Sequence, residues 1–243
     1  MMAATVQAIL GHPQANSYLT LAQAEAYILE RMDVADWTAQ ADADAKNRLL
    51  ITASREIDQL MLFGRRIFFE DVYKQALRFP VYRHNLDFWL RTTGTADSGS
   101  ATTLVDATLI DTTSYRDDLF IGGALLITSG TGKYTAHETV TDFDVTTGTV
   151  TFADCGSTLD STSVYDLIGP LPEDFKLAIL EQALFLASGN AVARAQMVAD
   201  GVTSYDAGGS RQSFGTPENA RTQPNLYSAV TLQIIDKYLQ KGI

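Results

Sequence analysis

Five consecutive residues, Ser129-Gly130-Thr131-Gly132-Lys133, hold the residue types of a phosphate-binding loop. Glycines there would let backbone amides approach a phosphate, and the lysine would meet its charge. The motif also needs a glycine five residues before the Gly-Lys pair, and Ser or Thr after the lysine. Ile127 and Tyr134 occupy those positions. The run lies between two strand-like stretches, so no helix amino-terminus would face an anion. It is expected to be a hairpin turn. The histidines His12, His84 and His137 form no i, i+4 pair and have no cysteine or carboxylate at metal-ligand spacing. No serine occupies the Gly-x-Ser-x-Gly turn that exposes a nucleophile. Asp117-Asp118 and Asp142/Asp144 could offer oxygens to Ca²⁺, but the run Asp142–Gly148 is not followed by the bidentate Glu of a calcium loop. Solvated turn acids are expected instead. Trp89 and Tyr115 could act as stacking platforms, against the plainer expectation of hinge and core roles. Cys155 stands alone, which excludes an internal disulfide and a cysteine-clustered metal site. No catalytic residue, metal or cofactor is therefore expected, and the chain is not expected to be an enzyme.

Charge narrows the partners. The net charge is −11, whereas wrapping nucleic acid through phosphate contacts needs a basic stripe. Between Thr95 and Gly169, ten Asp and one Glu face only Arg116 and Lys133, so this segment carries −9 and the flanks are nearly neutral. No stretch approaches the roughly 18–20 apolar residues that span a bilayer, so no membrane partner is expected. The amino-terminus lacks a basic region before its short apolar run, so no signal peptide is expected.

The elements that would position these residues fall into two kinds. Residues 1–14 have no strong periodicity and suit an arm or a short packed segment. Thr20-Leu21-Ala22-Gln23 matches a capping box, and Leu21, Ala24, Ile28 and Met32 follow on one helical face. Trp37 is expected to plug the end of a bundle. A second helix is expected from Asp42 to Phe63, with Leu49, Ala53, Ile57 and Leu60 inward, Asp42 or Thr38 as cap and Gly64 as stop. Arg65 and Arg66 would then neutralise its carbonyl end. Glu70–Leu77 suits a short helical turn stopped by Pro80. Thr92–Ser100 has the composition of a linker. Beyond it, Ala124–Thr128, Lys133–Thr141, Thr149–Phe152 and Ser163–Leu167 read as antiparallel strands of a small barrel or sandwich.

Pro172–Ser188 then reads as a central helix, apolar almost all round, which must be covered on most sides. Its stripe of Phe175, Ile179 and Leu186 could meet a neighbouring copy of the chain. Val202–Gly215 suits an extended hairpin or a loop, and Asn225–Lys241 a last helix with Tyr227, Val230, Ile234 and Tyr238 on one face. The expected fold class is α+β. A helical bundle, residues 1–92 and 170–243, is interrupted by a small antiparallel β-barrel or sandwich insertion at residues 95–169.

Ser17-Tyr18-Leu19-Thr20 before an alanine-rich helix, Trp37, Phe63-Gly64-Arg65 and Gln75-Ala76-Leu77-Arg78-Phe79-Pro80 form an ordered set. Pro172 at the head of the long helix, Gly201-Val202 and Tyr238-Leu239 continue it. The order resembles the head–tail adaptor (head-completion) proteins of tailed bacteriophages, some of which carry a DnaT-like single-stranded-DNA-binding label. Val81 departs from the pattern, where Arg often follows Phe-Pro, and the β insertion departs further.

The resemblance implies a structural connector under the portal, joining capsid to tail at the virion neck and assembled in the bacterial host cytoplasm. It implies a homo-oligomeric ring, usually a dodecamer, whose lumen passes double-stranded DNA without specific binding. Phe175, Ile179 and Leu186 would lie between subunits. Val202, Tyr205, Arg211, Phe214, Tyr238, Leu239, Lys241 and Ile243 would reach the portal protein or a downstream stopper or tail-terminator protein. The acidic β module would sit outside the ring. The alternatives are a tail-completion or virion-surface protein binding through the β module, and a single-stranded-DNA-binding protein, which needs a cationic groove with stacking aromatics.

Overall fold

A computed structural model describes residues 3–60, 65–70, 73–82, 90–189, 204–207, 210–213 and 227–239. The chain divides into two compact units. One comprises Met1–Val6, Ser17–Met61 and Glu173–Ile243, the other Gln7–Asn16 and Leu62–Pro172.

The first unit is helical. Helix α1 (Leu21–Ile28) opens on the expected capping box. Thr20 Oγ1 accepts from the Gln23 amide at 3.2 Å, and Gln23 Oε1 accepts from the Thr20 amide at 2.9 Å. The helix ends before Met32, which is fully exposed. Helix α2 (Ala35–Thr38) buries Trp37, as its expected role as a plug requires. Helix α3 (Ala43–Gln59) is capped by Asp42, whose carboxylate accepts from the Ala45 amide at 2.8 Å. It stops at Gln59 rather than Phe63, because Leu60 is already extended. Gly64, the expected stop, lies outside the described residues.

Helix α4 (Glu173–Ala187) packs against α3, α2 and α5 (Ala229–Ile235), which explains its missing polar face. Phe175 is fully buried, edge-on to Tyr18 at 5.4 Å and to Tyr238 at 5.3 Å. Gln182, which interrupts the apolar run, is also fully buried. Its Nε2 donates to Glu56 Oε2 at 2.7 Å and its Oε1 accepts from the Ser228 amide at 2.9 Å. The inward face of α5 is Thr231 and Ile235, continued by Tyr238, while Val230 is exposed. The stripe expected there is therefore shifted by one residue. A two-stranded hairpin, β12 (Ser204–Ala207) with β13 (Ser210–Ser213), lies within Val202–Gly215.

The second unit is a β-sheet. Strands β5 (Arg91–Thr95), β6 (Ser98–Gly99), β7 (Thr103–Val105), β8 (Ala124–Ser129), β9 (His137–Asp144), β10 (Thr149–Phe152) and β11 (Val164–Ile168) make one seven-stranded sheet. The order is β5-β11-β8-β9-β10-β7-β6 and every pairing is antiparallel. Only Ala96 and Asp97 separate the two terminal strands. The Ala96 amide bonds Ser163 O at 2.9 Å and the Asp97 amide bonds Val105 O at 2.8 Å. The run 91–99 therefore joins both ends of the order, and the sheet closes on itself. Register shifts at Thr141 of β9 and Thr128 of β8 mark bulges that bend the strands, as closure of a small barrel requires.

The barrel interior holds Leu104, Leu125, Ile127, Val140, Phe143, Val150, Phe152, Tyr165 and Leu167, all buried. The outer face of β8 and β11 is covered too. Leu126 and Ile168 pack against Ile67, Phe68 and Tyr73 from the segment before the barrel. This explains why Ala124–Ile127 is apolar without alternation.

The expected fold class is thereby corrected. The sheet is not a small insertion in a helical bundle: it dominates the described structure, and the helices are few. Two segments account for much of the difference. Glu70–Leu77 forms no helical turn, because β2 (Phe69–Glu70) pairs with β3 (Tyr73–Lys74), and β1 (Arg65–Arg66) pairs with β4 (Val81–Tyr82). Thr92–Ser100 is no linker but the seam of the barrel.

Candidate nucleic-acid interface

Three segments far apart in sequence meet on the outer face of β8 and β9: Leu10–His12, the β2–β3 hairpin, and the β8–β9 connection. Gly11 has a φ of +76°, and a Cβ there would lie 2.9 Å from the Phe68 ring. The hairpin and the loop after it are clamped by Gln75, whose side chain is buried. Its Oε1 accepts from the Phe68 amide at 3.0 Å, and its Nε2 donates to the carbonyls of Leu77, Arg78 and Pro80 at 2.9, 3.0 and 2.9 Å. Arg66 donates to the Ala76 and Leu77 carbonyls at 3.2 and 3.3 Å, so it caps this loop and not a helix end.

The Ser129–Lys133 run forms the expected hairpin connection, between β8 and β9. Thr131 fixes it, donating from Oγ1 to Asp160 at 2.8 Å and from its amide to Thr162 Oγ1 at 3.2 Å. Tyr134, whose amide bonds Ile127 O at 2.8 Å, has a φ of +58°. The left-handed region costs a residue with a Cβ about 1–2 kcal/mol, and such positions gather where a ligand is held.

These elements assemble an aromatic cluster. The Tyr73 and Tyr134 rings stack at 5.0 Å and 20°. Lys133 Nζ lies 5.0 Å over the Tyr134 ring. Phe68 meets both Tyr73 and His137 edge-on at 6.1 Å, and His12 lies 5.2 Å from His137. His137 is buried with both nitrogens engaged: Nε2 donates to Leu10 O at 2.9 Å and Nδ1 accepts from the Tyr73 hydroxyl. Burial, and then the neighbouring His12, push its pKa down to about 3. Burial also lowers the pKa of His12 and, with the negative charge of Glu138, holds the Tyr73 hydroxyl protonated. His137 is therefore neutral and saturated, and cannot serve as an external base or a metal ligand. Tyr134 is half-buried and Lys133 and Lys74 are exposed. The arrangement sets a half-buried tyrosine ring beside exposed ammonium groups that can meet an anion.

The sequence reading missed this cluster. His12, Tyr73, Tyr134 and His137 share no local period, and only the fold brings them together. A tyrosine following Gly-Thr-Gly-Lys in a hairpin turn was the one available signal. The residues singled out from sequence do not gather. Phe175 and Ile179 are fully buried inside one chain and offer no surface to a neighbouring copy, while Leu186 is half-buried. Tyr238 is buried, with its hydroxyl donating to Asp174 at 2.6 Å, and Leu239 is half-buried. Tyr205 and Arg211 lie on β12 and β13, paired in register with Gln212 and Asp206. Val202, Phe214, Lys241, Ile243, His84 and Trp89 lie outside the described residues. Tyr115 packs on Phe120 and Phe143 at 5.8 and 6.4 Å, as part of the core. Asp144 caps its own turn, and hydrogen bonds from Thr146 and Thr147 hold its carboxyl below the usual range. Among the described residues no group of three or more His, Cys, Asp or Glu could hold a metal ion.

Residues 2–109, under half of the chain, match a family model described as "Putative DnaT-like ssDNA binding protein". Comparison with curated proteins and with solved structures finds no match to either. The matched segment runs from the amino-terminus through α3 and the β2–β3 hairpin to β7. This similarity corrects the resemblance to head–tail adaptors and the viral structural, connector and portal-binding role drawn from it, since the family model that matches is described as a DnaT-like ssDNA-binding protein and not as an adaptor.

Proposed function

We propose that this chain binds single-stranded DNA through the outer face of its sheet unit, with Tyr134, backed by the buried Tyr73, as the stacking platform. The observation that carries this reading is the stacked tyrosine pair with Lys133 over Tyr134, on a turn that holds Tyr134 at a positive φ. Similarity of residues 2–109 to a single-stranded-DNA-binding family supports it, because His12, Phe68, Tyr73 and Lys74 fall within that stretch. Bases exposed by the loss of a partner strand stack on tyrosine faces, each contact contributing about 1–3 kcal/mol. Duplex DNA offers no such face, and its dense phosphates meet a chain of net charge −11.

The test is an anisotropy titration with a labelled oligothymidylate of about 12 nucleotides at about 50 mM salt, beside a duplex of the same length. Saturable binding of the single strand, at least tenfold tighter than the duplex, is expected. Equal affinities, or no binding of the single strand, would overturn the reading.

A further inference from the structure

We infer that Lys133 exchanges partners when a strand binds: its ammonium covers the solvent side of the Tyr134 ring in the free protein, and moves to a phosphate as a base takes its place. This rests on the reading above and names the residue that selects for a charged backbone. The Tyr134 ring packs against the buried cluster of Ile67, Phe68, Tyr73, Leu126 and Ile168, with Tyr73 stacked on it at 5.0 Å and 20°. The Lys133 side chain is exposed, and its Nζ stands 5.0 Å over the same ring. The ammonium therefore covers ring surface that the cluster leaves to solvent, and a base stacks there only where the ammonium gives way.

The backbone beneath takes no part in the exchange. The Lys133 amide donates to Gly130 O at 3.2 Å and the Tyr134 amide to Ile127 O at 2.8 Å. A Cβ on Gly130 would lie 1.8 Å from Thr162 O, so the turn is seated firmly against its neighbour. The movement is a rotation of the lysine's flexible four-carbon stem. Magnitudes favour it. A cation over an exposed ring is held there by about two- to fivefold, whereas a base stacked on the ring contributes about five- to 150-fold. The displaced ammonium then neutralises a phosphate of the same strand. A strand without backbone charge would displace the ammonium and give it no new partner. The exchange sets no limit on what else the strand touches.

Anisotropy titrations of the full chain test this with an oligothymidylate of about 12 nucleotides and a methylphosphonate strand of the same length and sequence, at about 50 mM salt. Lys133→Ala uncovers the ring. The variant should bind the neutral strand about two- to fivefold more tightly than the parent does. Its slope of log K against log salt for the charged strand should be shallower by about 0.7. A purely structural role for Lys133 would weaken both strands together. In ¹³C-lysine spectra of the parent, the Lys133 ε-methylene should be shielded by the ring and lose that shielding at saturation with the oligothymidylate. A variant that binds the neutral strand no better than the parent does, including a strand that neither binds, would overturn the exchange and leave single-strand binding standing. Shielding that persists at saturation would do the same. Absence of oligothymidylate binding by the parent would overturn both.

Discussion

Replacing Gly94 by alanine tests whether the barrel wall is built around one buried polar pair. Gly94 of β5 faces Tyr165 of β11 in register, and the Tyr165 hydroxyl donates to Asp106 Oδ2 at 2.7 Å. Both side chains are almost wholly buried, at 1% and 2% exposure. A Cβ on Gly94 would lie 2.6 Å from Asp106 Oδ2 and 2.7 Å from the Tyr165 hydroxyl, so one of them must move. Asp106 is not free to do so, because its Oδ1 accepts from the Thr108 amide at 2.7 Å. Overpacking of this kind costs about 1–3 kcal/mol, and loosening a hydrogen bond to a charged group about 1.5–3 kcal/mol. The two overlap in a single displacement, so Gly94→Ala should lose about 3 kcal/mol. Tyr165→Phe removes the hydroxyl that the new methyl would strike. The double variant should therefore be more stable than the sum of the single losses allows, by about 1 kcal/mol. Urea unfolding with an unchanged m-value measures all three. A Gly94→Ala protein within about 0.5 kcal/mol of the parent, or strict additivity in the cycle, would refute the reasoning.

Three further outcomes are expected from other contacts. His137 is held neutral with its pKa near 3, against 6.5 when exposed, so the unfolded chain takes up the proton first on acidification. Stability should fall as the pH drops from about 6.5 toward 3, by up to about 1.4 kcal/mol per unit, and His137→Gln should flatten that slope in urea titrations; parallel slopes would exclude the effect. Gln75→Leu removes the Gln75 acceptor from the Phe68 amide and one donor from each of three carbonyls, of which Leu77 keeps Arg66 and Pro80 keeps the Ile67 amide, and should cost about 2 kcal/mol, read as a lowered Tm. Asp42→Ala removes the cap on α3 and should cost about 1 kcal/mol in the same measurement, with little change in far-ultraviolet circular dichroism.

What could be read from sequence was what is decided locally. Thr20 with Gln23, and Asp42 with Ala45, announce helix starts because donor and acceptor lie three residues apart. Thr149–Phe152 alternates because one face of β10 meets the core and the other does not. The misread stretches depend on distant partners. Thr92–Ser100 resembles a linker because its side chains are small and polar, yet Gly94 must be small to admit Tyr165, and the rest pairs with strands on both sides. Glu70–Leu77 has helical composition, but Gln75 satisfies loop carbonyls that a helix would have engaged itself. The apolar girth of α4 suggests a neighbouring subunit until Tyr18 and Tyr238 are seen on either side of Phe175. The candidate interface was the least legible, because Leu10, Tyr73 and His137 become neighbours only after the barrel has formed.

The seam at residues 91–99 also governs how this sheet behaves toward other chains. An open sheet ends in a row of vacant amides and carbonyls on which an unfolded or partly folded copy can nucleate a fibril. Strands dense in threonine and valine are well suited to such growth. Because the run 91–99 bonds β11 with one half and β7 with the other, the two ends of the strand order share one stretch of backbone, which shortens the rim open to such a template by connectivity and not by surface side chains.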